Sequence, residues 1–338
     1  MSQTKYFKTR LTVILGLFVI LTDSCLKTSK FKPEELILKK AKSITQFNDS
    51  TFLSSMVLCI DKYKDSIMLT DYKQGQIFML NSELNLLSKI GIMGQGPGEM
   101  IGAAHFCVSN EKITVINDGK ELLSEYSLLN KNFTKDIKFP KDLRKTLNTR
   151  FFEYDGKIFH SIVSEDSMIV AIDKNNLKSS QMGVNSKWDK PNLRMHSTRH
   201  LIKGNQSFYE IGCTLPILQE YSFEGEMLHT FDLSTIHDIS KQMEIYKKNN
   251  QIPNTYFVMI QDVYFDNENI FLLFASQEVG YSCNKIIVIN TQNEFKHIAT
   301  YILSGGKVYL SFCVDNNRII AFNGLNSNID IYNFINNK

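Results

Sequence analysis

Ile90-Gly91-Ile92-Met93-Gly94-Gln95-Gly96-Pro97-Gly98-Glu99 places four glycines and a proline within nine residues, directly after a short apolar run. Glycine admits positive φ, while proline fixes φ near −65° and removes a backbone donor. The stretch therefore reads as a specifically shaped connector that leaves one strand and enters the next. A phosphate-cradling loop would need a Gly-Lys-Ser/Thr ending or G-x-G-x-x-G spacing ahead of a helix. Neither is present, and Met100 to Ser109 is too short and too mixed for a long helix.

Working outward, the runs on either side alternate apolar and polar residues over short lengths, the pattern of half-buried strands. They recur with a period of roughly 45–58 residues, which is the sequence mark of a repeat architecture. The first unit holds Met56–Ile60, Ser66–Tyr72, Gln76–Leu80 and Leu86–Ile90; the sixth holds Val308–Val314, Arg318–Phe322 and Ile329–Phe334. Five units have four strands and the last has three. Lys42–Phe47, ahead of the first unit, has strand composition and is expected to supply the missing outer strand. Closure of this kind removes an exposed sheet edge. The expected fold is an all-β, six-bladed β-propeller closed by an N-terminal strand. Tight hairpins are expected at Asn117-Asp118-Gly119, Tyr154-Asp155-Gly156 and Glu224-Gly225-Glu226. One segment departs from the rhythm: Ser234 to Asn250 carries Ile236, Ile239, Met243 and Tyr246 at helical spacing, the pattern of a short amphipathic helix packed on the rim.

Ser66-Ile67-Met68-Leu69-Thr70-Asp71-Tyr72, Gln76-Ile77-Phe78-Met79-Leu80 and the turn Gly91-x-x-Gly94-x-Gly96-Pro97-Gly98-Glu99 together resemble one blade of an NHL-type repeat. The resemblance is to the six-bladed propeller lipoproteins of Gram-negative bacteria, a TolB-like or NHL-like group. It covers about 35 residues in its motif, and the rest of the chain only in rhythm. It implies a cell-envelope binding module with no assigned activity.

The N-terminus agrees with that address. Lys5, Lys8 and Arg10 precede an apolar run, Leu11 to Leu21, that is too short for a comfortable membrane span. Residues 1–24 are expected to be a signal peptide. Ser24-Cys25 looks like a lipobox, with Thr22 and Asp23 departing from its usual residues. Cys25 is the expected site of lipidation, and acyl chains there would hold the protein to a membrane. Residues 25–40 would be a tether and 41–338 the propeller. The expected location is the cell envelope, periplasmic or at the outer membrane.

Charge and composition narrow the function further. The 338 residues carry 38 basic and 35 acidic side chains, a balance that gives no case for nucleic acid. Of six cysteines, Cys59, Cys107 and Cys313 stand in apolar runs and read as buried core residues; any disulfide pairing is left open. No Cys-x-x-Cys or His-Glu-x-x-His occurs, so no metal site and no cofactor is expected. His196-x-x-x-His200 has a metal-pair spacing, but nothing completes a site. Arg194, Arg199 and these histidines form a local basic patch near Trp188. A Gly-x-Ser-x-Gly elbow is absent. Asp71 and Asp118, at the ends of second strands, point to turn geometry rather than catalysis.

The reading is thus a membrane-tethered extracytoplasmic module that binds an unknown protein or glycan at one mouth of the central channel. Arg150, Arg199 and His200, at the start of inner strands, are the candidate binding residues. The competing reading is a carbohydrate-active hydrolase or lyase on the same scaffold, for which no catalytic residue can be named.

Overall fold

Two strands, β1 (Glu34–Leu38) and β2 (Lys40–Ile44), precede the first blade and finish two others. Blade I is β3 (Ile60–Tyr63), β4 (Ser66–Asp71), β5 (Gln76–Leu80) and β6 (Leu86–Ile90). A connector with two short parallel strands, β7 (Ile92–Met93) and β8 (Glu99–Met100), leads to blade II. Blade II is β9 (Ala103–Ser109), β10 (Lys112–Asn117), β11 (Leu122–Ser127) and β12 (Phe133–Lys138). In blade III, β13 (Arg144–Lys145) and β14 (Phe152–Tyr154) both pair β15 (Lys157–Val163), followed by β16 (Ile169–Asp173) and β17 (Ser179–Met182).

Blade IV is β18 (Arg199–Lys203), β19 (Phe208–Gly212), β20 (Ile217–Tyr221) and β21 (Met227–Asp232). A helix, α1 (His237–Asn249), intervenes. Blade V is β22 (Ile260–Asp266), β23 (Asn269–Ser276), β24 (Ser282–Asn290) and β25 (Lys296–Leu303), with β1 added outside β25. Blade VI is β26 (Tyr309–Asp315), β27 (Arg318–Asn323) and β28 (Asn328–Asn333), with β2 as its outermost strand. The fold is the six-bladed propeller expected, closed by an N-terminal strand and carrying, among the described residues, one α-helix. It is described here from a computed structural model over residues 32–140, 144–145, 148–163, 167–183, 198–249, 257–292 and 294–334. The chain divides into Met1–Glu34 and Glu35–Lys338, and the larger unit is the propeller.

Each blade is an antiparallel meander, so its side chains alternate between the two neighbouring blades. Apolar cores consequently lie between blades. One between blades I and II gathers Met68, Ile77, Phe106 and Val115, and one between blades VI and I gathers Phe322, Ile329, Phe78 and Leu80. That last core joins the two ends of the repeat array. Five blades carry a register shift where the third strand meets the fourth, at Met79/Leu80, Glu125/Tyr126, Glu220/Tyr221, Val288/Ile289 and, on the closing strand, Lys40/Lys42. A bulge bends a strand and adds right-handed twist, which splays the outer edge of a blade.

The closing strand is Lys40–Ile44, two residues earlier than expected, because Asp330 on β28 sets its register. Ser43 Oγ donates to Asp330 Oδ1 at 2.6 Å, and Lys40 Nζ lies 3.3 Å from the same oxygen. The sheet also begins ahead of residue 41: β1 occupies part of the expected tether, Leu38 is fully buried, and Ser304 Oγ donates to its carbonyl at 2.8 Å. The first inner strand is Ile60–Tyr63 rather than Met56–Ile60, since Met56–Cys59 passes as irregular chain into the blade I core.

Helix α1 is an amphipathic insertion of the expected kind. Ile236, Ile239 and Met243 are buried in the core between blades IV and V, and Tyr246 is buried as well. Lys285 Nζ meets Asp238 at 2.9 Å, and the Gln277 backbone N–H donates to Gln242 Oε1 at 2.8 Å. Asp71 serves turn geometry, accepting from the Ser54 and Gln74 backbone N–H groups at 2.6 and 3.0 Å. The expected hairpin at Asp155-Gly156 has both residues at positive φ, +47° and +71°. Cys59, Cys107, Cys213, Cys283 and Cys313 are buried free thiols. Cys25, Trp188, Arg194 and His196 lie outside the described residues.

Candidate functional site

The blade connector Gly91–Glu99 sits where its sequence places it, between β6 and β9. Gly91 and Gly98 have φ of +78° and +71°, conformations that side chains rarely adopt. The Glu99 carboxylate turns back and accepts from Gly96 N–H at 2.7 Å, and Lys120 Nζ donates to the Gly96 and Glu99 carbonyls at 2.6 and 2.8 Å. Pro97 stands at the tip, where no donor is needed. Tyr126 Oη donates to the Gly98 carbonyl at 3.0 Å. These contacts hold the blade I–II joint, and Gly91, Gly94, Gly96, Pro97, Gly98 and Glu99 shape the connector that makes them.

The channel is different. The innermost strands β3, β9, β18, β22 and β26, and the residue two before β14, bring a polar group from each blade to its centre. These are Asp61, His105, Arg150, His200, Asp262 and the Phe312 backbone. Arg150 is the hub. Its Nε donates to Asp262 Oδ1 at 2.6 Å and its Nη2 to Asp262 Oδ2 at 2.9 Å, a bidentate pair. Nη2 also reaches the Ile60 and Phe312 carbonyls, each at 2.9 Å. Nη1 faces Asp61 Oδ2 at 3.5 Å. The Arg150 backbone N–H donates to His200 Nδ1 at 3.2 Å, and His200 Nε2 lies 3.3 Å from the Ile260 carbonyl. The His105 ring centroid is 6.5 Å from that of His200.

Five of the six blades meet in the hydrogen bonds and ion pairs of a single arginine. Burial works against its charge, but Asp262 outweighs that and holds the guanidinium well above its usual pKa. Burial pushes His200 down to about 4, so the imidazole is neutral. Burial also raises the Asp61 carboxyl above the usual range, against the pull of Arg150.

Above this plug the channel opens into a cavity of about 490 Å³. Its walls are the C-terminal ends of the inner strands of blades I to V, with Asp61, Tyr63, Ser109, Glu153, Lys203 and Tyr264 among them. Glu153 is matched: Lys174 Nζ lies 2.7 Å from it and also pairs with Glu125, across the blade II–III joint. The cavity thus holds two carboxylates, and each faces a basic side chain. Among the described residues no three His, Cys, Asp or Glu side chains gather into a metal-holding group.

Of the residues singled out from sequence, the structure brings Arg150 and His200 together at the channel centre. It does not bring Arg199. That side chain is fully buried, with Nε on Glu210 Oε1 at 2.7 Å and Nη1 on the Thr198 carbonyl at 3.1 Å. Adjacent strand residues point oppositely, so only one of Arg199 and His200 can face the channel. Sequence reading missed Asp61, His105 and Asp262. The available signal was a polar residue within an otherwise apolar inner strand in unit after unit.

The sequence profile of DUF5128, described as a 6-bladed beta-propeller, matches residues 48–321, and the chain belongs to that family. No curated protein matches it. Among solved structures it is similar to a candidate exported protein of Bacteroides fragilis NCTC 9343, at 14% identity and a TM-score of 0.58, covering 85% of this chain and 88% of that one. A DUF4221 member from Bacteroides vulgatus ATCC 8482 gives 11% identity and a TM-score of 0.58, covering 89% and 98%. Streptogramin B lyase gives 13% identity and a TM-score of 0.51, covering 87% and 86%. These likenesses are of fold.

Proposed function

We propose that the chain is an extracytoplasmic binding module, tethered to a membrane through Cys25, that takes a ligand into the channel-mouth cavity. The observation that carries the reading is the open channel mouth above Arg150. Arg150 blocks the channel's middle with bonds to four other blades, while the mouth above it stays open at about 490 Å³, a volume within the range of small-ligand sites. A rigid ring of inner strands positions that cavity, and no conformational change is needed to form it. The signal-like N-terminus and the exported description of a structural relative support the location.

Two measurements test this. A compound library is screened by thermal shift against the wild type and Ser109→Trp, which places an indole at the cavity wall. A ligand that stabilises the wild type and not the variant fits the cavity; one that stabilises both equally binds elsewhere and counts against the reading. For the tether, radiolabelled palmitate is expected in the wild type and not in Cys25→Ala. Equal labelling of both would remove Cys25 from the proposal.

A further inference from the structure

We propose that the cavity seats a protonated primary amine, with the Asp61 carboxylate as its counter-ion. The inference rests on the cavity being a binding site.

It follows from a charge count at the cavity floor. Two carboxylates, Asp61 and Asp262, face one guanidinium. Asp262 takes Nε and Nη2 of Arg150 at 2.6 and 2.9 Å. The remaining Nη2 contacts go to the Ile60 and Phe312 carbonyls. Asp61 receives only Nη1, at 3.5 Å, longer than a normal charge-assisted hydrogen bond. Its other oxygen accepts from the Lys62 backbone N–H at 2.7 Å. One negative charge is left in excess around this guanidinium, at the floor of the cavity.

The nearby basic groups do not correct it. His200 is neutral because burial disfavours its charged form. The Lys62 ammonium is turned away to Asp315, 2.5 Å distant, which Arg318 also contacts. Lys174 serves Glu153 and Glu125. Lys203 is exposed, and its Nζ lies 5.1 Å from the centre of the Tyr154 ring. Asp61 is therefore a cavity carboxylate whose one cation, Arg150, is 3.5 Å away and shared with Asp262, and its side chain is 32% exposed, into the cavity. A buried charge is costly unless paired, so a ligand that brings a cation gains more there than a neutral one. An ammonium offers three donors. Among the described residues no further strand pairs with the inner strands on their channel side, so backbone carbonyls there that Arg150 and His200 do not already engage can take the donors that Asp61 does not.

Two sources carry this chemistry, a free alkylamine and a lysyl side chain of a peptide. Ligand-observed NMR titrations would use n-pentylamine and Nα-acetyl-lysine-N-methylamide, with 1-pentanol and hexanoate as neutral and anionic controls. The proteins are wild type, Asp61→Asn, Asp61→Glu and Ser109→Trp. The expected result is amine binding that exceeds both controls, weakens roughly thirtyfold or more in Asp61→Asn, and persists in Asp61→Glu. Tighter binding of the lysine derivative identifies a peptide; tighter binding of pentylamine identifies a free amine. If the amines bind Asp61→Asn as well as wild type, the inference is overturned. It is also overturned if a control binds in their place. In either case the cavity reading survives provided that Ser109→Trp blocks whatever binds. If Ser109→Trp changes nothing for any probe, the cavity reading falls as well.

Discussion

Arg150 holds the channel because its planar fork can address several acceptors at once, which a lysine cannot. Replacing it with methionine leaves Asp262 fully buried and unpaired, and two strand carbonyls lose a donor. Arg150→Met is expected to lose about 3–5 kcal/mol in urea unfolding, and the double variant Arg150→Met/Asp262→Asn to recover part of it. A second expectation concerns pH. His200 in the folded protein titrates near 4, below its ordinary 6.5. Between those values the folded state binds fewer protons, so stability present above pH 6.5 is lost as pH falls towards 4. Asp61, raised above 3.8, acts in the opposite sense, because its folded form holds a proton more readily. Stability curves of wild type and His200→Gln from pH 7 to 4.5 should therefore diverge. The wild type should fall more steeply, by up to about 3 kcal/mol over the window. Parallel curves would show that His200 does not carry the dependence. Arg150 and His200 were legible in the sequence as polar residues opening inner strands. Asp262 was not, because it lies 112 residues from its partner and reads locally as one polar position in a strand. Asp61 was lost to a strand placed a few residues early, which left it in a presumed turn.

At the scale of elements, the glycine-rich connector was the most legible feature, since each of its residue types has a local reason. Positive φ and close approach are both at work in Gly91, where a Cβ would stand 2.1 Å from Met100 Cε. Gly280 also has positive φ, +74°, but nothing lies within 4 Å of its would-be Cβ. Comparing the two separates backbone strain from packing. Gly280→Ala should cost about 1 kcal/mol, the backbone penalty alone. Gly91→Ala should cost roughly 1–3 kcal/mol more, because Met100 must move out of the blade I–II core. Equal melting temperatures for the two variants would mean that the connector yields freely. Glu99→Ala, which removes the acceptor of Gly96 N–H, should cost about 1 kcal/mol, as loss of a helix cap does. The bulges at Met79/Leu80 and its four counterparts were not legible. A bulge is set by how two paired strands must bend and twist together, and no residue type marks it by itself.

For the whole molecule, six repeats and a three-stranded last unit were enough to infer closure, because an unpaired edge in one blade must be met by strand from elsewhere. The structure adds how firmly the seam is held. Asp330, fully buried, gathers Ser43, Lys40, Tyr309 and Asn328 around one carboxylate, so the joining strand is keyed by polar contacts as well as by its ladder. Beside it, β1 covers the outer edge of blade V and buries Leu38 in the core between blades V and VI. Removing residues 1–45 should therefore do two things at once. It strips the strand that completes blade VI, and it exposes the edges of both β28 and β25. A propeller is a ring of interfaces between adjacent blades, so loosening blade VI weakens its joints to blades V and I together. The shortened chain is expected to melt at least several degrees lower and to form dimers or larger species on size-exclusion chromatography, where a chain starting at Lys32 stays monodisperse. Asp330→Asn tests the polar key without touching the strand and should lower stability by about 1–3 kcal/mol while leaving the elution volume unchanged. If the shortened chain kept both its melting temperature and its elution volume, β26, β27 and β28 alone would suffice to close the ring, and the N-terminal strands would be a covering rather than a lock.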